Sequence, residues 1–255
     1  MSDRLPASAE SAYVLHAQPY RETSLLVEAF TRPHGRIALV ARGARRPRSA
    51  LRGVLLAFHP LSLAWFGKGE VRTLSRAEWL GGQAFLRGEA LLCGYYLNEL
   101  LMRLLPREDA HEKLFGHYQA ALAALARKEP PAPVLRAFEK ALLAELGYAL
   151  TLGATAGQGA GTGEGWNGDA AIDPAAPYCY DPERGPVRAD QPRGRLLAAQ
   201  IPVVCGQTLL DMARDDYAGA RTLAEAKTLM RSLINHRLDN EPLRSRRVYR
   251  ELLDL

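Results

Sequence analysis

Five short apolar runs separated by turn residues fill the stretch from Ala12 to Glu78, and no helical period fits them. AYVLHAQPY (12–20), SLLVEAFT (24–31) and RIALVAR (36–42) read as three strands, with Pro33-His34-Gly35 as turn chemistry between the second and third. VLLAFHPLSLAWF (54–66), broken by Pro60, reads as one long bent strand or two short ones. Gly67-Lys68-Gly69 then turns the chain into a last strand over 70–78. Five strands in about 80 residues favour a small closed barrel over an open sheet. An oligonucleotide-binding (OB) barrel is the expected member of that class, although an SH3-like barrel reads the same at this level.

From Phe85 the period changes. Leu86, Ala90, Cys93, Leu97, Leu100, Leu101, Leu104 and Leu105 recur at helical spacing up to Pro106. Asp109–Glu112 reads as a capping box for a second helix running to Arg127. Pro130-Pro131-Ala132-Pro133 breaks the chain before a third helix over 134–147, which stops at Gly147. Residues 151–194 are rich in Gly, then in Pro, Asp and Tyr, with a short hairpin or irregular turn at 178–187. Further on, 195–201 reads as a short helical piece, and Thr222–Glu225 as a capping box opening a helix to His236. The expected fold class is therefore α+β. A five-stranded barrel (1–80) precedes an all-helical bundle (81–150), the glycine-rich segment (151–194) and mostly helical C-terminal elements (195–255).

Charge decides what such a barrel can hold. Thr31–Gly53 carries seven arginines and no Asp or Glu. Residues 1–80 hold twelve Lys/Arg against six Asp/Glu, out of 33 and 28 in the whole chain, so the remainder is 21 against 22. IALVA belongs to a strand, and the arginines after it fall among Gly, Pro and Ser, as in an exposed loop. A permanently charged guanidinium that forks onto phosphate oxygens suits a polyanion, with nucleic-acid backbone the first choice. Arg36, Arg42, Arg45, Arg46, Arg48 and Arg52 are the candidate contacts. Tyr13, Tyr20, Phe58, Trp65 and Phe66 are candidate stacking faces, each also a core candidate. A second basic cluster, Arg244, Arg246, Arg247 and Arg250, is interleaved with Val248, Leu252 and Leu253.

Other chemistries find little purchase. Gly163-Glu-Gly-Trp-Asn-Gly168 spells G-x-G-x-x-G but follows no strand and opens no helix, so it fails as a nucleotide-binding fingerprint. There is no Walker-type loop, H-E-x-x-H or G-x-S-x-G. Three scattered cysteines (Cys93, Cys179, Cys205) make no disulfide framework and fit a reducing cytosol. No apolar run reaches the roughly 20 residues of a membrane helix, and the first residues hold no signal core, so a cytoplasmic protein is expected.

The segments AYVLHAQPYRETSLLVEAFTRPHGRIALVARGARRPRSALRG, LLCGYYLNELLMRLLPREDAHEKLFGHY and LRAFEKALLAELGY, in this order and spacing, resemble the bacterial recombination-mediator family RecO. The resemblance spans about residues 12–250. It implies an OB barrel, a central helical bundle and a C-terminal region wrapped against it. It also implies a non-enzymatic role in recombinational repair, at the nucleoid: binding single- and double-stranded DNA, annealing complementary strands, engaging the acidic tail of the single-stranded-DNA-binding protein (SSB), and with RecR helping RecA to load. For that tail, an apolar slot rimmed by Arg127, Lys128, Arg136 and Lys140 is the expected receptor. One branch of the family holds zinc with four cysteines in two C-x-x-C pairs. Here only Cys179 and Cys205 lie in the corresponding region, so 151–194 is its zinc-less counterpart, and no metal or cofactor is carried over. An RNA-binding barrel protein with a helical partner-interaction domain is the alternative.

Overall fold

The alternation read from the first strands closes on itself. The computed structural model describes residues 9–152, 172–199 and 201–253. Strands β1 (Glu10–Tyr20), β2 (Ser24–Thr31), β3 (Gly35–Ala41), β4 (Leu61–Phe66) and β5 (Val71–Trp79) form a closed barrel in the order β1-β2-β3-β5-β4. β3 and β5 run parallel and β1 returns to pair with β4, so no edge is left open. Ala12, Val14, Val27, Ala29, Ile37, Leu39, Leu61, Leu63 and Trp65 fill the interior. By the period of two, Tyr13, Leu15 and Phe30 point outward, yet they too are buried. Helices cover them.

Helix α1 (Leu51–Val54) is a single turn between β3 and β4. Its last residue, Val54, is the first of the stretch expected as strand. Of that first half only an isolated bridge, Val14 to Ala57, survives, and β4 begins after Pro60. Leu51 and Val54 pack on the barrel core, so the apolar run is real but its conformation is set by what it plugs. Helix α2 (Glu89–Leu104) and helix α3 (Glu112–Ala126) follow. From α3, Phe115 and Tyr118 meet Tyr13 and Phe30 with ring centroids 5.2–6.0 Å apart, an aromatic seam between barrel and helices. The expected capping box at Asp109 does not form. His111 is the N-cap and makes no side-chain cap bond; the carbonyl of Asp109 instead lies against Gly35, where an added Cβ would sit 1.7 Å from it.

By its contacts the chain divides into two compact units, Met1–Pro131 with Leu243–Leu255, and Ala132–Pro242. In the first, the last helix, α8 (Arg244–Leu253), is fastened to α2. The Glu99 carboxylate accepts the backbone N–H groups of Arg244 and Ser245 and the Ser245 hydroxyl, and so caps α8 from another helix.

The second unit begins with helix α4 (Pro131–Glu145), which starts three residues earlier than expected. Pro131 and Pro133 fall in its first turn, where a missing N–H costs nothing. Strands β6 (Pro177–Asp181), β7 (Gly185–Arg188) and β8 (Val203–Cys205) make a sheet ordered β7-β6-β8, with helices α5 (Pro192–Ala198), α6 (Gly206–Ala213) and α7 (Ala220–Arg237). Leu143, Tyr178, Tyr180, Val204, Leu209, Met212 and Met230 lie in its core. The second capping box also fails: α7 starts at Ala220 after Gly219. Thr222 donates instead to Asp211, while Glu225 accepts from the Cys205 N–H, Thr208 and Arg221. Burial pushes the Glu225 carboxyl up, but these bonds outweigh it and hold the group below its usual range. Residues 163–168, with their G-x-G-x-x-G pattern, lie outside the described residues.

Candidate nucleic-acid interface

Past Ala41 the chain must leave the barrel, and Gly43, with φ at +68°, turns it. Ala44 then drops back into the core with no exposed surface, and the Arg45 N–H bonds the Thr23 carbonyl at 2.8 Å. Successive turns, Arg46 N–H to Gly43 and Ser49 N–H to Arg46, lead into α1. The loop is thus pegged at Ala44 and Leu51, and what lies between them faces solvent. Arg42, Arg45, Arg46, Arg48 and Arg52 are all exposed, and among the described residues none has a carboxylate within ion-pair distance. Scattered surface ion pairs do not account for them. Like charges about 10 Å apart in water repel by about 0.4 kcal/mol per pair, which a polyanion relieves.

Arg45 differs slightly from its neighbours. Its Nη1 donates to the carbonyls of Arg21 and Glu22 at 3.4 and 3.2 Å, tying the loop to the β1–β2 turn. That turn carries Arg21, exposed, at φ +52°, with its guanidinium 5.2 Å from the Tyr20 ring. Arg21 therefore joins the basic face. It lies 21 positions from Arg42, and only the barrel's register brings them to one end.

Arg36 stands apart. It is half-buried on β3, 3.8 Å from the buried Glu28 carboxylate, which also accepts from Arg107. Burial pushes the Arg36 pKa down, Glu28 opposes this and Arg107 adds to it. Arg36→Ala is therefore expected to cost about 1–2 kcal/mol of stability, while Arg107 keeps Glu28 paired. If the loop arginines hold a polyanion, the salt dependence of its binding should stay as in the wild type, and a flatter slope would return Arg36 to the interface.

The other basic groups are more committed. Arg246 donates to the Tyr96 hydroxyl at 3.1 Å and lies 5.3 Å from that ring, so it helps to seat α8. Arg244 and Arg247 are exposed, the latter 3.5 Å from Glu251, and Arg250 lies on the same helix. At the end of α3, Arg127 is exposed and bonds Glu129 at 2.7 Å, and Lys128 is exposed at φ +63°. In the second unit Arg136 is buried and bonds Glu139 at 2.6 Å; Lys140 reaches the Met212 carbonyl and Asp215, at 2.8 and 2.5 Å. Of the aromatic candidates, Tyr13, Phe58 and Trp65 are core, whereas Tyr20 and Phe66 are partly exposed.

The Cys179 and Cys205 thiols donate to the carbonyls of Gly194 and Pro174, burial pushes the Cys179 thiol up, and among the described residues no three or more His, Cys, Asp or Glu are grouped as a metal site would need. Nor is any described helix long and apolar enough to cross a membrane.

Two family models match the chain: recombination protein O N terminal over residues 7–83, and recombination protein O C terminal over residues 86–247. The chain is 56% identical over 246 residues to a DNA repair protein RecO of Azoarcus sp., covering 96% of each. It is 53% identical over 258 residues to that of Aromatoleum aromaticum, covering 100% of each. Over 246 residues it is 51% identical to that of Burkholderia pseudomallei, covering 96% of this chain and 84% of the relative.

Proposed function

The chain belongs to the recombination protein O family, whose relatives are DNA repair proteins, and from that premise we propose that it is a non-enzymatic recombination mediator. It binds single- and double-stranded DNA, anneals complementary strands and, with RecR and the SSB tail, promotes RecA loading at the cytoplasmic nucleoid. The observation that carries this reading is the cluster of exposed arginines, without carboxylate partners among the described residues, on one end of a closed five-stranded barrel. Guanidinium groups there neutralise phosphates without reading sequence and leave base edges free. Annealing needs no more chemistry than that: backbone repulsion is screened and the bases pair by themselves.

For an acidic tail ending in an apolar side chain, Arg127 and Lys128 offer exposed cations. The burial of Arg136 and its bond to Glu139 leave it little capacity for a ligand. The test of the whole reading is annealing of complementary strands coated with SSB, followed by strand-specific fluorescence. The protein should raise the rate at least tenfold over coated strands alone. An unchanged rate, with the protein bound to neither strand, would reject the mediator role.

A further inference from the structure

The barrel has a second distinctive end. Register puts Ala12 opposite Thr31 and Leu61, and Leu61 opposite Trp79, whereas the arginine loop follows Ala41, opposite Leu25. The two ends are about 23 Å apart along β1, from Ala12 to Pro19 opposite Leu25. At the Trp79 end, Trp79, Leu80, Phe85 and Tyr95 are all at least half exposed. Four large apolar side chains left open within 17 residues are not scattered single exposures.

Their arrangement is held from beneath. The His59 ring lies 4.4 Å from Phe85 and 5.9 Å from Trp79, and Phe58 packs edge-on to Tyr95 at 5.0 Å. Gly81 and Gly82, both with left-handed φ, turn the chain after Leu80, and the Gln83 amide donates to the Phe58 carbonyl at 2.6 Å. This pins the segment that carries Phe85 over His59. Beside the rings, sharing Pro60 and Leu80 with them, a small cleft is lined by Tyr13, Arg32, Phe115 and Gln119. Arg32 is exposed, stands 5.0 Å from the Phe115 ring and has no carboxylate partner among the described residues.

We propose that this end of the barrel is a stacking site for unpaired nucleobases, with Arg32 taking an adjoining phosphate. The inference rests on the DNA-binding reading above and divides its labour. The arginine loop holds any phosphate backbone, duplex included; the aromatic end holds only strands whose bases are free.

Two observations favour a nucleotide over an apolar protein segment. The surface sets a cation beside aromatic faces, the complement of phosphate beside base. A buried polar atom beneath the rings, His59 Nε2, also has no hydrogen-bond partner among the described residues, its Nδ1 being hydrogen-bonded to the Ala57 carbonyl. A dry apolar partner laid over the rings would leave it so. A base or sugar edge brings N–H, O–H and water to the rim beside it.

The experiment uses the full chain and three probes: a deoxyadenosine oligomer, an abasic deoxyribose-phosphate oligomer of equal length and a blunt duplex. Trp79→Ala with Phe85→Ala should weaken binding of the base-bearing oligomer about 100-fold, from about tenfold per ring, and change the other two less than about threefold. Trp79→Phe, which keeps a ring, should stay within about threefold of wild type. Indole fluorescence of the wild type should be quenched by the deoxyadenosine oligomer and not by the abasic one, with the quench lost in Trp79→Phe. Equal losses on all three probes, or no loss on the base-bearing oligomer, would overturn the stacking site and leave the surface to a protein partner. Absence of the quench in the wild type would do the same without any variant having to fold. Failure of the wild type to bind any probe would instead overturn the DNA-binding reading itself.

Discussion

Replacing Arg42, Arg46 and Arg48 together with alanine should weaken binding to a single-stranded oligonucleotide about 100-fold at about 0.1 M salt. The slope of log K against log salt should become shallower by about 2. The numbers follow from counterion release: each phosphate neutralised on a single strand contributes about −0.7 to the slope, and three contacts at a tenth of molar salt amount to about two powers of ten. These three arginines are chosen because they are exposed and form no ion pair among the described residues, so their removal takes away charge and little structure. Arg45→Ala is a poorer probe, since its guanidinium also closes the β1–β2 turn through the Arg21 and Glu22 carbonyls. A salt titration by fluorescence anisotropy decides the matter. A triple variant with the wild-type slope would place the DNA elsewhere, with α8 the next candidate.

The contrast between Arg36 and its neighbours marks where sequence reading runs out. The strand bearing Arg36 is plain from its alternation, and the loop after it from Gly, Pro and Ser. What Arg36 meets is set by Glu28 on the neighbouring strand and by Arg107, 79 positions beyond Glu28. No local pattern carries that information. The same limit explains α1, whose Val54 reads as the start of a strand until the barrel needs a plug there. It also explains the failed capping box at α7, whose Thr222 and Glu225 have the right spacing but are claimed by α6 and β8. Period and turn chemistry make the barrel and α2 legible, while the three-residue β8 is too short to leave a period.

The aromatic residues follow this rule as well. Composition cannot separate Trp65, sealed in the barrel, from Trp79, half exposed at its rim; both lie in similar alternating runs. Burial on both faces of β1 is likewise a tertiary effect. Its outward Tyr13 and Leu15 are covered only because α2 and α3 lie across them, as the ring contacts of Phe115 and Tyr118 record.

The joint between barrel and helices gives the second large effect: Asn98→Ala should lower the melting temperature of the first unit by about 10 °C. Between Val14 and His16 the β1–β2 register slips, so Leu15 is the extra residue of a bulge with no opposite number in β2. Its carbonyl turns to α2 and accepts from Asn98 Nδ2 at 2.8 Å; Asn98 Oδ1 in turn accepts the Tyr118 hydroxyl of α3 at 2.5 Å. Asn98 and Tyr118 are buried, and burial pushes the Tyr118 phenol well above its usual pKa, so it stays a donor throughout the working range. One amide thus ties a strand to two helices. Alanine removes both bonds, leaves the buried Leu15 carbonyl without the Asn98 donor and opens a small void, together about 3 kcal/mol. For a unit of this size that corresponds to about 3–4 °C per kcal/mol. Tyr118→Phe removes only one donor and should cost about a third as much, because the Leu15 carbonyl keeps its partner. Calorimetry of both variants orders them. If the two losses were equal, the hydroxyl rather than the bulge carbonyl would be holding the joint, and α2 would be secured to the barrel by apolar packing alone.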